Sequence, residues 1–423
     1  MSLDTAHPAG ALPAGADNRV VAAGGVRSWR ELPELTLPAP AVVLAHSARY
    51  ALAAARHHAA YGTELLITTA GRVDPAMRDE LRDTGFTLVE ADGPAEVAAP
   101  TRTRRAEAGR LWLLTSGTTG RPKRVGHTLE SLTTVRGRQP DRTWLCPYTP
   151  GTYAWWQVVT LSLTQPGQHL VVVEPEQLDD WPALAAAHGV DAVSGTPTFW
   201  RRALHRDPDT LARVPLRQLT LGGEPVDQAI LDRLRQVFPS ARVSWIYASS
   251  EVGAAVVVHD GRAGFPVEWL DRAAPDRPTL GVRDGELVVT SPYHGAGLTG
   301  PVRTGDRVEV VGDRVLITGR LDTDEINVGG SKVSAGRVRD VLTAHPRVAW
   351  ARVTARRAPL LGHLVVAEVV AHGSPSPRPD PPGAPDEAAL VRWCADRLPD
   401  YAVPRRIRLL PEIPVKETLK SDV

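Results

Sequence analysis

The chain has 423 residues, 43% of them hydrophobic, with 49 Lys and Arg against 48 Asp and Glu for a formal charge of +1. That length suits two or three domains with a large core, and so even a balance of mixed charges argues against the basic footprint of a nucleic-acid-binding protein. No apolar run nears the roughly 20 residues of a membrane span, and residues 1–18 lack the basic segment and apolar core of a secretory signal. Cys146 and Cys394, the 2 cysteines, are too few and too far apart for a disulfide framework or a cysteine metal site. A cytoplasmic protein without nucleic-acid or membrane partners is expected.

After an opening rich in Pro, Ala and Gly, β-like runs alternate with helical periodicity: strands at 41–45, 64–69 and 86–90, helices at 47–61 and 75–84. The rhythm continues through strands at 111–115, 169–174, 216–221 and 243–248, with helices at 179–188 and 226–238. Such alternation predicts βαβ units and mostly parallel sheets. From residue 254 the helical pattern gives way to short runs at 285–291, 306–311 and 314–318, which Gly, Asp and Pro separate as in antiparallel hairpins. Beyond 319, a helix at 335–345, strands at 348–354 and 364–370 and a helix at 386–398 predict a separate domain of about a hundred residues. Residues 372–385, dominated by Pro, Gly and Ser, read as a surface loop.

The chemistry concentrates in a few segments. Leu113-Leu114-Thr115-Ser116-Gly117-Thr118-Thr119-Gly120-Arg121-Pro122-Lys123 leaves a strand for a loop of small and hydroxylated residues with one lysine. Small residues let backbone approach a polyphosphate, hydroxyls and amides donate to it, and lysine adds positive charge. The P-loop pattern, with four residues between its glycines and a Gly-Lys-Ser/Thr ending, is not met. A bland reading of this segment alone is a solvated turn between a strand and a helix.

The segment resembles the phosphate-binding signature of the adenylate-forming ligase superfamily, which includes acyl-CoA synthetases, aryl-CoA ligases and stand-alone adenylation domains. Five further motifs follow in that family's order, covering the chain from about residue 111 to its end. Gly222-Gly223-Glu224-Pro225 resembles the family segment beside the adenine. Ile246-Tyr247-Ala248-Ser249-Ser250-Glu251 is similar to Tyr-Gly-x-Thr-Glu, whose tyrosine packs on adenine and whose glutamate helps hold magnesium; Ala248 and Ser250 depart from it. Thr304-Gly305-Asp306 matches Thr-Gly-Asp, where the carboxylate of Asp306 suits the two ribose hydroxyls. Gly319-Arg320-Leu321-Asp322 and the segment 326–333 resemble the interdomain hinge and the glycine loop after it, with Arg320 on the nucleotide and Asp322 as pivot. Ile413 to Lys420 resembles the tail that ends in the catalytic lysine, with Leu419 in place of the usual glycine.

The resemblance implies an N-terminal domain, 1–320, of layered α/β sheets with a small antiparallel β subdomain, and a small mobile α+β C-terminal domain, 321–423. It assigns ATP/AMP to Thr115, Ser116, Gly117, Thr118, Thr119, Gly120, Lys123, Gly222, Gly223, Glu224, Tyr247, Ala248, Asp306 and Arg320. Catalysis falls to Lys420, Glu251 and Ser250, with Mg2+ on Glu251. The phosphate loop comes early, so the N-terminal subdomain reads as abbreviated. Residues 147–157 lie where the family places its acid pocket, so Tyr153 and Trp155 are assigned to substrate, and inward Trp155 or Trp156 would favour a small or flat aromatic acid. The same two tryptophans also fit a core role. His127, His169 and His259 lack metal-ligand spacing and read as structural or surface residues. The implied reaction adenylates a small-molecule carboxylic acid and transfers it to CoA, a carrier-protein thiol or an amine. Two alternatives stand beside it: adenylation of nitrite with coupling to an arylamine, and a non-catalytic nucleotide-binding remnant.

Overall fold

The computed structural model describes residues 10–91, 96–115, 122–273, 277–321, 324–358, 362–372, 385–415 and 420. Two largely parallel sheets dominate. One orders its strands Glu96–Ala98, Thr87–Ala91, Ala41–Ala45, Leu65–Thr69, Leu111–Thr115, Lys123–His127, with the middle four parallel. The other runs from Gly253–Val258 through Arg242–Ser249, Gln218–Gly222, Ala192–Gly195, Arg142–Cys146 and Gln168–Val172 to Arg19–Ala22 and Gly25–Ser28. The expected strand and helix rhythm is present, with ends shifted by a few residues.

Helices Ala48–Tyr61 and Tyr153–Thr164 lie between these sheets, in one core that joins Val43, Leu65 and Leu111 of the first to Leu145's neighbour Cys146, Leu170 and Val172 of the second. The first helix lines this layer with buried Ala51, Ala54 and Ala55, so sheet and helix backbones approach closely. The second brings Trp155 and Trp156, both 0% exposed, with ring centroids 5.0 Å apart and edge-on geometry. These rings fill the core. The expectation that Trp155 meets substrate is therefore corrected: the ring has no accessible surface and packs in the core, its indole Nε1 buried without a hydrogen-bond partner among the described residues.

A five-stranded antiparallel sheet, ordered Phe265–Pro266, Arg314–Arg320, Val302–Val311, Glu286–Thr290, Thr279–Arg283, forms the hairpin region read from residue 254 onward. A small C-terminal domain follows on its own sheet, Ser331–Ser334, Glu325–Val328, Gly362–Ala371, Val348–Ala358, with Arg406–Leu409 parallel to Gly362–Ala371. Helices Ala335–Thr343 and Glu387–Ala395 close over it in a separate core of Val338, Leu342, Val353, Val369, Leu390 and Ile407. No helix among the described residues is long and apolar enough to cross a membrane.

Where the domains join, Asp324 is 8% exposed and its carboxylate accepts from the Ser334 hydroxyl at 2.7 Å and the Gly336 amide at 2.6 Å. Gly336 must be glycine for steric reasons, since a Cβ there would stand 1.7 Å from the Thr318 carbonyl oxygen. The helix of the small domain thus rests directly on the backbone of the large one.

Candidate active site

The strand Leu111–Thr115 and the strand Lys123–His127 pair antiparallel, with Thr115 opposite Lys123. The chain on the far side of the phosphate-loop segment therefore continues as a strand paired with the one before it, rather than as a helix. Ser116, Gly117, Thr118, Thr119 and Gly120 lie outside the described residues, as do Asp322 of the hinge motif and residues 416–419 of the tail. At the loop's base, Arg72 donates to the Leu114 carbonyl at 3.1 Å. Buried His127 meets the Ser131 hydroxyl through Nδ1 and the Ser250 carbonyl through Nε2, at 3.0 and 2.7 Å. Burial lowers its pKa, so it stays neutral and donates one N–H to Ser250. It ties the hairpin to the motif ending in Glu251, a supporting role consistent with its lack of metal-ligand spacing.

Strand Arg242–Ser249 carries Tyr247 beside a bulge between Tyr247 and Ala248. Bulges re-aim side chains, and here the Tyr247 hydroxyl donates to Asp306 Oδ2 at 2.5 Å. Burial, then the Asp306 charge, pushes the Tyr247 pKa well above its ordinary value, which keeps the phenol a donor. Asp306 stands opposite Arg320 in the register of the strands Val302–Val311 and Arg314–Arg320. Arg320 Nη1 donates to Asp306 Oδ1 and to the Thr304 carbonyl, both at 3.2 Å. The three residues, from two different sheets, form one cluster. Glu251 sits half-buried in the turn after Ser250, its amide on the Ser249 hydroxyl at 3.3 Å and its carbonyl receiving the Gly295 amide at 2.8 Å.

Gly222 ends a strand and Gly223 turns out of the sheet at φ +84°. A Cβ on Gly223 would lie 3.2 Å from Lys420 Cε and 3.6 Å from its Nζ, so the lysine of the C-terminal domain reaches the strand end in the large domain. Next to it, the Glu224 carboxylate accepts from the Thr198 amide at 2.9 Å and the Thr198 hydroxyl at 3.0 Å. Lys420 keeps some surface open to solvent, yet the protein around it withholds enough water to lower its pKa. Glu224 and Asp306 act against that shift, Arg72 and Arg320 with it. Two carboxylates and three cations thus face one space, into which sequence elements from residues 72 to 420 converge.

Tyr153 is nearly buried at the start of its helix, and a Cβ on Gly253 would stand 3.4 Å from its hydroxyl. Burial pushes its pKa well above the ordinary tyrosine value, so it remains a neutral phenol. Tyr148, within the 147–157 segment expected at the acid pocket, meets the hydroxyl of Ser194 at 3.1 Å at the ends of neighbouring strands in the large sheet. No motif marks Ser194, because the contact joins positions far apart in the chain.

Two family models match this chain: AMP-binding enzyme over residues 35–297 and AMP-binding enzyme C-terminal domain over residues 338–420. The chain is an AMP-binding enzyme. The adenylate-forming membership implied by the motifs is thereby borne out. Among curated relatives of this AMP-binding enzyme, a salicylyl-CoA synthase / salicylate adenylyltransferase from Streptomyces sp is 27% identical over 361 residues, 74% of this chain and 61% of that protein. Pyochelin synthase PchD of Pseudomonas aeruginosa is 31% identical over 222 residues, 47% of this chain and 39% of that one. A dimodular nonribosomal peptide synthase of Bacillus subtilis is 26% identical over 73% of this chain, which spans only 14% of it. The chain thus spans less than two thirds of each of these relatives. Among solved structures, a benzoate CoA ligase from Burkholderia xenovorans shares the fold at TM-score 0.73 and 18% identity, covering 98% of this chain and 96% of that one. The amide bond synthetase McbA from Marinactinospora thermotolerans gives 0.65 at 22% identity, covering 96% and 95%.

Proposed function

We propose that this AMP-binding enzyme is a Mg-ATP-dependent ligase that activates a small or aromatic carboxylic acid as an acyl-adenylate and passes it to CoA or another nucleophile. The observation that carries the reading is the meeting of Lys420 with Gly223, Glu224 and the Asp306–Arg320 pair. In the first half-reaction a carboxylate oxygen of the acid bonds to the α-phosphorus. The bond from that phosphorus to its bridging oxygen breaks, and pyrophosphate leaves with the electron pair. Negative charge moves through the phosphoryl oxygens, where a fixed ammonium lowers the barrier. Lys420 is the ammonium in this scheme, and Asp306 the acceptor for the ribose hydroxyls, held in place by Tyr247 and Arg320. In the second half-reaction a sulfur or nitrogen nucleophile attacks the acyl carbon, and AMP departs.

Glu251, a hard carboxylate on an anchored turn, would hold Mg2+. A bound ion there would offset polyphosphate charge. We place the boundary between the two domains after Arg320. The aromatic preference draws support from relatives named for salicylate and benzoate, since Trp155 and Trp156 no longer bear on pocket size. An amine acceptor draws support from the amide bond synthetase.

The test is pyrophosphate release with Mg-ATP across aryl and short aliphatic acids and nitrite, each with and without CoA and an arylamine, followed by mass spectrometry. A carboxylate-dependent signal with acyl-AMP is expected. A signal requiring nitrite and an arylamine would replace this reading by diazotisation, and silence across the panel would leave an acid outside it or the nucleotide-binding remnant.

A further inference from the structure

Arg201 lies on the helix Pro197–Arg206, whose first turn donates to Glu224. Its side chain is only 9% exposed and bridges two domains. One arm pairs with the carboxylate of Asp227, which itself caps the helix Gln228–Val237 of the large domain through the Ile230 amide at 3.0 Å. The other arm, Nη1, donates to the Ala349 carbonyl in the C-terminal domain at 3.1 Å. Ala349 and Trp350 cluster with Val370 and Ile413, and Val415 packs both on that cluster and on the core of the large domain. Ile413 and Val415 are the root of the tail that delivers Lys420. Across the same joint, Arg339 and Asp340 of the helix Ala335–Thr343 lie within electrostatic reach of Asp227.

A buried ion pair seldom adds net stability over an apolar replacement, because desolvating both charges costs as much as their attraction returns. It does select one arrangement over others, and the rigid fork of a guanidinium fixes two acceptors at once. Here the two acceptors belong to different domains, and the one in the small domain adjoins the root of the catalytic tail.

We propose that Arg201 is a positioning residue for Lys420: by tying the Ala349 carbonyl to Asp227 it locks the strand under Ile413 in the orientation that carries Lys420 to Gly223. This rests on the role given to Lys420 above. A misplacement of about 1 Å at a reacting group can cost on the order of a hundredfold in rate.

The test compares wild type with Arg201→Ala and Arg201→Lys, using acid-dependent pyrophosphate exchange, AMP binding and hydrogen exchange of the full chain with AMP bound. In Arg201→Ala, kcat for exchange falls about ten- to a hundredfold, KM for ATP and AMP affinity stay within about twofold, and amides around Ala349–Trp350 and Ile413–Val415 exchange faster. Arg201→Lys recovers part of kcat, since its ammonium keeps the charge but not the fork. Unchanged kcat, or kcat and AMP affinity falling together with the melting temperature, overturns the proposal. Should wild type give no exchange with any acid, the functional reading fails by itself, and the amide exchange then decides the inference: protection at 349–350 and 413–415 that is insensitive to Arg201→Ala overturns it.

Discussion

Tyr247, Asp306 and Arg320 sit on strands paired to their neighbours in two sheets, whereas Lys420 comes to the same space at the end of a tail whose nearest described anchor is Val415. The first group has its hydrogen bonds built in, at 2.5 and 3.2 Å. The lysine depends instead on how one domain rests on another, through Gly336 on Thr318, Arg201 on Ala349 and Val415 on the large core. A nucleotide is common to every step of an adenylation sequence, so a rigid binder suits it. A group needed in one step only is well carried by an element that can leave. Substitutions on the nucleotide side are accordingly expected to act on binding, and those on the lysine side on rate.

The sharpest way to break this comparison is Lys420→Ala. Removing a preorganised charge from a developing oxyanion costs about 10²- to 10³-fold in kcat, and KM for ATP should hardly move. The readout is acid-dependent pyrophosphate exchange. A large rise in KM with kcat retained would make Lys420 part of the nucleotide binder and erase the distinction. The opposite pattern is expected for Tyr247→Phe, which strips a donor from a partly buried carboxylate. Hydrogen bonds to charged groups contribute about 1.5–3 kcal/mol, so KM for ATP or Kd for AMP, measured by titration calorimetry, should rise about tenfold or more while kcat changes little.

The two halves also differed in how much the sequence disclosed. Tyr247, Asp306 and Arg320 sit in short motifs whose residue types match ribose and adenine chemistry, and local strand pairing finishes the geometry. Lys420 was legible only through the order of its neighbours, since a lysine near a chain end carries no pattern of its own. Arg201 and Ser194 were not legible, because each acquires its partner from a distant segment. Trp155 went wrong for a related reason: its helix is apolar on nearly every side, and only the second sheet packed over it decides that the ring faces the core. The layered fold itself was plain, because alternation of period 2 and period 3.6 is a local signal that the parallel sheets preserve.

Gly336→Ala probes the domain contact without changing net charge, though the new methyl also stands 3.3 Å from Asp324 Oδ1. The new methyl at 1.7 Å from the Thr318 carbonyl oxygen must lift the helix Ala335–Thr343 off the strand beneath it. Overpacking of this kind costs about 1–3 kcal/mol, and here the strain is relieved by loosening the joint. The expected result is a kcat reduced about tenfold, AMP affinity unchanged, and a two-step thermal unfolding profile in calorimetry where wild type shows one. A single, uniformly lowered transition with weakened AMP binding would mean that the two halves of the site are mechanically one.

The mildest probe is pH. Partial loss of hydration, helped by Arg72 and Arg320 against the opposing Glu224 and Asp306, lowers the pKa of Lys420 below the ordinary 10.5. The protonated amine is the active form, so a lowered pKa means that activity begins to fall at a lower pH than a free lysine would allow. The kcat for exchange should therefore show an alkaline limb below pH 10.5, while AMP affinity, resting on Asp306 and a Tyr247 phenol whose pKa is raised, stays flat across the same range. Lys420→Arg carries a charge that does not titrate there. It should be slower than wild type and lack the limb. If the limb persists in that variant, it belongs to another group, and the lysine half of the site is less strained electrostatically than its crowded setting implies.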